Sequence, residues 1–150
     1  MSTKNVQFTV ATHVMAGLAY NAATGGAGMT SAVLATSVNA EPSFVRRAIS
    51  KLAKAGLVTT TRGKNGACSL ARPAPRITLL DIYRASEAPA TFSIHSYPVE
   101  CECPVSANIS DCMTDVLEYA QQGFEERLAK RTLAELLTAM CPLAKASGTP

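Results

Sequence analysis

Between Pro42 and Arg76 the chain places eight Lys and Arg side chains and not one Asp or Glu. A folded chain can keep that much uncompensated positive charge only on exposed surface, because a buried charge needs a partner. Residues 1–76 as a whole hold nine basic side chains against Glu41 alone, a net charge of +8, whereas residues 77–150 hold five against ten acidic ones, a net −5; together they give the overall +3. The asymmetry marks the first half as a surface for a polyanion, with a merely solvated basic face as the alternative.

The charges fall on a recognisable pattern. Pro42 suits the first position of a helix that runs to about Ala55, where Gly56 closes it. Val45, Ala48, Ile49 and Leu52 make its apolar stripe, and Ser43, Arg46, Arg47, Ser50, Lys51 and Lys54 make a polar, basic one. No acidic residue stands one helical turn away to neutralise these cations.

The surrounding chain fits a helical domain. Residues 6–20 carry Val10, Val14 and Leu18 with Ala11, Met15 and Ala19, and predict a first helix. The glycine-rich residues 21–28 read as a loop. They lack the Gly-Lys-Ser/Thr of a phosphate-binding loop and follow no apolar strand. Thr30 is the expected cap of a second helix that ends at Val38, and 39–41 make a tight turn. Residues 57–70, with β-branched residues on one side of Asn65-Gly66, predict a hairpin whose tip carries Arg62 and Lys64. Two short helices, a turn, a basic third helix and a basic hairpin define a winged helix-turn-helix. In that arrangement the third helix enters the major groove of DNA and the wing reaches the backbone or minor groove.

Beyond Pro73 and Pro75 the sequence predicts a helix over 77–87 capped by Thr78, then a long loop over 88–105 rich in proline. From Ile109 onward Ile109, Met113, Val116, Ala120, Phe124 and Leu128 recur at helical spacing, enough for about five turns. The remaining segment, 133–143, is too short to cover that stripe, so the stripe is expected to pack against a second copy of the chain. The expected fold class is mainly α with a small β-hairpin wing: a DNA-binding domain over 1–76, and loop and dimerisation or sensor helices over 77–150. Hydrophobic residues at 47% and charged residues at 17% exclude a disordered or collagen-like chain. No apolar run approaches the ~18 residues of a membrane span, and residues 1–10 show no signal-peptide pattern, so a cytoplasmic protein without membrane partners is expected.

Several segments together resemble the Rrf2 family of bacterial transcription regulators: Gln-Phe-Thr-Val-Ala-Thr-His-Val-Met-Ala-Gly-Leu-Ala at 7–19, Val45-Arg46-Arg47, Leu52-Ala53-Lys54-Ala55-Gly56-Leu57-Val58 and Arg62-Gly63-Lys64-Asn65-Gly66. Further along, Leu70-Ala71-Arg72-Pro73, Ile77-Thr78-Leu79-Leu80-Asp81-Ile82-Tyr83-Arg84-Ala85, Cys103-Pro104-Val105 with Asn108-Ile109, and Thr132-Leu133-Ala134-Glu135-Leu136 continue the likeness, which spans roughly residues 5–138. The resemblance implies a homodimeric repressor on a palindromic operator, with a long C-terminal helix as the dimer seam. It places base reading on Ser43, Arg46 and Arg47 and the minor-groove arginine on Arg62. In the wing, Gly66-Ala67-Cys68 stands where relatives carry two glycines and an aromatic residue.

Of the five cysteines, Cys101, Cys103 and Cys112 are the candidates for redox or metal chemistry. Glu100 and Glu102 should disfavour a thiolate beside them. A disulfide is expected from Cys101 or Cys103 to Cys112 or across the dimer. The competing reading has Cys112 and Cys141 as small buried hydrophobes. His13, beside the first helix's apolar stripe, is expected in the core or an interface. Some family members hold an iron–sulfur cluster on three cysteines. Here Cys101 and Cys103 are followed by eight residues before Cys112, Val10 falls where some relatives have an acidic ligand, and Asp115 falls where others have a histidine. No cofactor is therefore the expectation, with an iron–sulfur cluster as the alternative. A thiol- or metal-dependent enzyme using Cys101, Cys103 and His95 is the rival function, and a winged helix serving protein contacts alone is a third. Against an enzyme, the chain has no paired carboxylate site, nucleophile elbow or His-rich motif.

Overall fold

The computed structural model describes residues 5–61, 66–99 and 102–146, the last six by their backbone alone. In chain order the described elements are α1 (Gln7–Ala23), α2 (Ser31–Val38), α3 (Pro42–Lys54), β1 (Val58–Thr60), β2 (Cys68–Leu70), a 3-10 turn (Ala74–Arg76), α4 (Leu79–Ala85), α5 (Pro104–Ala129) and α6 (Leu133–Ala146).

Local signals set most of these ends. Thr30 Oγ1 accepts the Val33 N–H at 3.3 Å and starts α2, and Asn39, at φ 58°, ends it in the left-handed conformation that asparagine tolerates. Pro42 opens α3, and Gly56, at φ 76°, turns the chain out of it. Thr78 and Asp81 form a reciprocal capping box on α4. α1 outlasts the expected end by three residues, with the Thr24 hydroxyl donating to the Tyr20 carbonyl at 2.9 Å.

α1 is the central element. Its Ala11, Val14, Met15, Leu18 and Ala19 are buried against Leu34 of α2 and Val45, Ile49 and Leu52 of α3. Leu57, Val58 and Cys68 carry this core into the strand pair, whose antiparallel register sets Val58 opposite Leu70, Thr59 opposite Ser69 and Thr60 opposite Cys68. Met29 extends the pairing. Its N–H donates to the Cys68 carbonyl at 2.9 Å and its carbonyl accepts the Cys68 N–H at 2.7 Å, so the glycine-rich loop works as a third strand edge. Gly28 permits that approach, with φ at 142° and the position of a would-be Cβ only 2.9 Å from the Cys68 carbonyl oxygen.

The change of charge at residue 76 has no counterpart in the packing. Ile77, Ile82, Ala85 and Leu133 are buried in the same core as α1–α3. Two 2.8 Å backbone bonds, Leu79 N–H to the Arg131 carbonyl and Leu133 N–H to the Ile77 carbonyl, pin the starts of α4 and α6 together and return the chain to α1. Residues 133–143, expected as a leftover, are thus part of a core helix. α5 stands apart. It begins at Pro104, five residues before the expected Ile109, and its 26 residues make seven turns instead of five. None of them is buried, and the helix rests on α4.

Candidate nucleic-acid interface

α3 presents its polar stripe outward. Ser43, Arg46, Arg47, Ser50 and Lys54 are all exposed, while Val45, Ile49 and Leu52 anchor the opposite side. The Arg47 guanidinium lies over the Phe44 ring, 5.6 Å from its centroid. That contact restrains a long side chain at the surface without neutralising it. No acidic side chain is paired with Arg46, Arg47 or Lys54 among the described residues, so the stripe keeps its charge.

Lys51 behaves differently. Its Nζ lies 3.3 Å from Glu87 Oε2 and donates to the Ser86 carbonyl at 3.5 Å, on the side of α3 that faces α4. The sequence signal for this partner was absent from the helix itself, because Glu87 stands 36 positions further along the chain. Arg62 and Lys64 lie outside the described residues; the strands on either side of them are those of the wing. His13, expected in the core or an interface, is exposed, and its Nε2 lies 3.1 Å from Ser37 Oγ, linking α1 to α2. It points to solvent because the buried arc of α1 runs through Val14 and Met15 instead.

On α5, Ile109 and Met113 are half-buried, whereas Val116, Ala120 and Phe124 are exposed. Phe124 is also engaged within its own chain. Its ring meets Tyr83 edge-on at 5.3 Å, and Tyr83 meets Phe8 in the same way at 5.4 Å. Gln121 Nε2 donates to the Tyr83 hydroxyl at 2.9 Å, and Arg84 is paired with Glu125 at 3.1 Å. These contacts join the long helix to α4. They leave Val105, Val116 and Tyr119 without partners, at 67%, 56% and 81% exposure.

Among the described residues the thiols do not form a cluster. Cys103 is the cap residue of α5, and hydrogen bonds from the Ser106 backbone first, then the Ser106 side chain and the Val105 backbone, hold its thiol below the usual cysteine range. At Cys103 the expectation from the neighbouring carboxylates is reversed, because the first-turn groups of α5 favour the thiolate. Cys112, which the competing reading buries as a small hydrophobe, is exposed on α5, a helix with no buried residue. Cys68 is buried, and burial pushes its thiol up. Cys101 and the Cys141 side chain lie outside the described set. Nine residues of helical rise separate Cys103 from Cys112, about 13 Å, well beyond the ~7 Å Cα limit of a disulfide. The expected pairing of these two within one chain is therefore excluded while α5 is intact. His95 is exposed beside Tyr97, and among the described residues no three His, Cys, Asp or Glu side chains converge.

A buried helix-turn-helix carrying an outward basic helix and a strand-pair wing defines the winged-helix class of regulators. The sequence matches the Rrf2 family, described as iron-dependent transcriptional regulators, over residues 5–139. It is 33% identical over 134 residues, 89% of this chain and 96% of the relative, to YwnA of Bacillus subtilis (strain 168), named as an HTH-type transcriptional regulator. A crystal structure from Lactobacillus plantarum, described as a transcriptional regulator, superposes with a TM-score of 0.76 at 28% identity, covering 91% of this chain and 90% of that one. IscR from T. potens shares the fold at a TM-score of 0.65 and 23% identity, covering 100% and 92%. The chain belongs to the Rrf2 family of transcriptional regulators. An iron–sulfur cluster would need convergent thiolates. Cys103 and Cys112 are too far apart on one helix to share one, and Val10 offers no ligand, so the described residues do not fit such a group.

Proposed function

We propose that the chain is a cytoplasmic repressor that acts by binding a palindromic operator as a homodimer and carries out no catalysis. The reading rests on one observation: α3 exposes Ser43, Arg46, Arg47, Ser50 and Lys54 together, on an anchored helix, with no acidic side chain paired to its arginines among the described residues. Arg46 and Arg47 are the base readers, since a guanidinium matches the paired acceptors of guanine in the major groove. Lys54 and the wing residues Arg62 and Lys64 contact phosphate or the minor groove. Functionally the chain divides into a DNA-reading head, which includes α4 and α6, and α5 as the seam. Two copies related by a two-fold axis would set their α3 helices about one helical turn of DNA apart, ~34 Å.

The unpartnered face of α5 supports the dimer, because an amphipathic helix of this length with no buried residue needs a covering surface. A redox response is assigned to Cys103, with Cys101 and Cys112, through disulfides across the dimer. Fluorescence-anisotropy titration of a palindromic and a scrambled duplex at several salt concentrations tests the reading. Specific binding with a steep salt dependence is expected, and equal, salt-insensitive affinity would overturn it.

A further inference from the structure

Ala90, Thr91, Phe92 and Ile94 of the linker and one side of α5 line a half-open cavity of about 670 Å³, the size of a small-molecule site. Phe92 and Ile94 form one wall and Leu117 and Phe124 the other. Thr114 and Gln121 supply neutral hydrogen-bonding groups, and Glu118 is the one charged side chain lining it. With no Lys or Arg in its lining, the cavity repels anions.

The cavity shares Ala120 and Phe124 with the stripe expected at the seam, but most of its α5 lining lies elsewhere on that helix. At 3.6 residues per turn, Leu117, Gln121 and Phe124 lie about a third of a turn around α5 from Val105, Val116 and Tyr119. A second copy covering the latter residues leaves the former facing their own linker. We propose that this cavity binds an uncharged, mostly apolar small molecule of two or three rings, and that its occupancy alters DNA affinity. Two of its lining side chains make the joint to the DNA-reading head: Gln121 donates to the Tyr83 hydroxyl, and Phe124 packs on the Tyr83 ring. Tyr83 lies in the last turn of α4, and Ser86 and Glu87, the two residues holding Lys51 of α3, follow directly after that helix. A ligand that repositions Gln121 or Phe124 therefore biases the angle between α5 and the head, and with it the spacing of the two α3 helices.

The coupling to DNA rests on the function proposed above, but binding itself can be read without DNA. The test titrates the 150-residue chain with N-phenyl-1-naphthylamine, a neutral dye that fluoresces in apolar sites, and with its sulfonated analogue 1-anilinonaphthalene-8-sulfonate. One saturable neutral-dye site per chain is expected, with the sulfonate binding at least about tenfold more weakly. Ala90→Trp, which fills the cavity from the exposed linker, and Leu117→Gln, which makes its floor polar, should each remove the neutral-dye signal while retaining the wild-type melting curve. Saturating dye should shift operator affinity about fivefold or more. No saturable dye binding, equal affinity for the sulfonate, or binding that survives both substitutions would overturn the site. Dye exclusion at concentrations where the protein is dimeric would assign the cavity to the second copy and overturn it equally. Dye binding without a change in DNA affinity would overturn the coupling, whereas dye binding by a protein with no duplex affinity would overturn the DNA-reading assignment and leave the site standing.

Discussion

Lys51 Nζ lies 3.3 Å from Glu87 Oε2, so one of the six polar residues on the stripe of α3 is turned toward α4. Glu87 adopts φ 52° just past the end of α4, which brings its carboxylate back toward α3. With Glu87 63% exposed, such a pair adds at most about 1 kcal/mol of stability. Its consequence is directional: it takes a cation out of the set proposed to face DNA and attaches α3 to the end of α4, the element on which α5 rests.

Lys54 and Lys51 should therefore separate in a salt titration. Lys54→Ala should weaken all duplexes about equally and reduce the slope of log K against log salt by about 0.9 per protomer. Lys51→Ala should leave the slope close to wild type. Equal slopes for the two variants would place Lys51 on the phosphates after all.

Arg47→Ala should flatten discrimination between operator and scrambled DNA by about 1–3 kcal/mol, the worth of one bidentate base contact. Because Arg47 is exposed and its ring contact is with Phe44 alone, the melting temperature should stay near wild type. A uniform loss of affinity for all sequences would make Arg47 a phosphate ligand.

Gly28→Ala tests the junction between helix-turn-helix and wing. The left-handed-side φ of 142° and the 2.9 Å approach to the Cys68 carbonyl leave no room for a methyl group. A loss of about 1–3 kcal/mol is expected from strain of this kind, visible as a lowered denaturation midpoint. Gly25→Ala, where the added atom meets nothing within 4 Å, provides the control for backbone strain alone.

Val116→Lys is the clean probe of the seam. Val116 is 56% exposed and contributes nothing to the core of its own chain, whereas Phe124 also packs on Tyr83. A buried, unpaired charge at a two-fold contact should shift sedimentation to monomer. Operator affinity should fall with it, and persistence of the dimer would exclude this face.

Cys103 should react with iodoacetamide sooner than Cys68. A lowered pKa raises the thiolate fraction at any pH below the ordinary cysteine range, and burial does the opposite at Cys68. Ser106→Ala should slow alkylation of Cys103 and shift its pH profile upward. Diamide should give disulfide-linked dimers on a non-reducing gel, and a Cys103–Cys112 bond within one chain would mean that α5 unwinds.

Local sequence determined the helix-turn-helix almost residue by residue. Thr30, Asn39, Pro42 and Gly56 each fix a backbone turn through their own chemistry, and a 3.6-residue stripe on α3 says which side is buried before any partner is known. The basic stripe was legible for the same reason, since exposure follows from periodicity. What α5 rests on was not legible. Its stripe could face its own chain or another, and Phe124 turned out to do the former through Tyr83, 41 residues away. The roles of Met29, Lys51 and residues 133–143 were hidden likewise, because each depends on a partner distant in sequence. Periodicity and capping are properties of neighbouring residues and survive in a one-dimensional reading. Which cation keeps its charge, which thiol meets a helix start and which helix lacks a cover are set by close approach in space, and only the folded chain decides them.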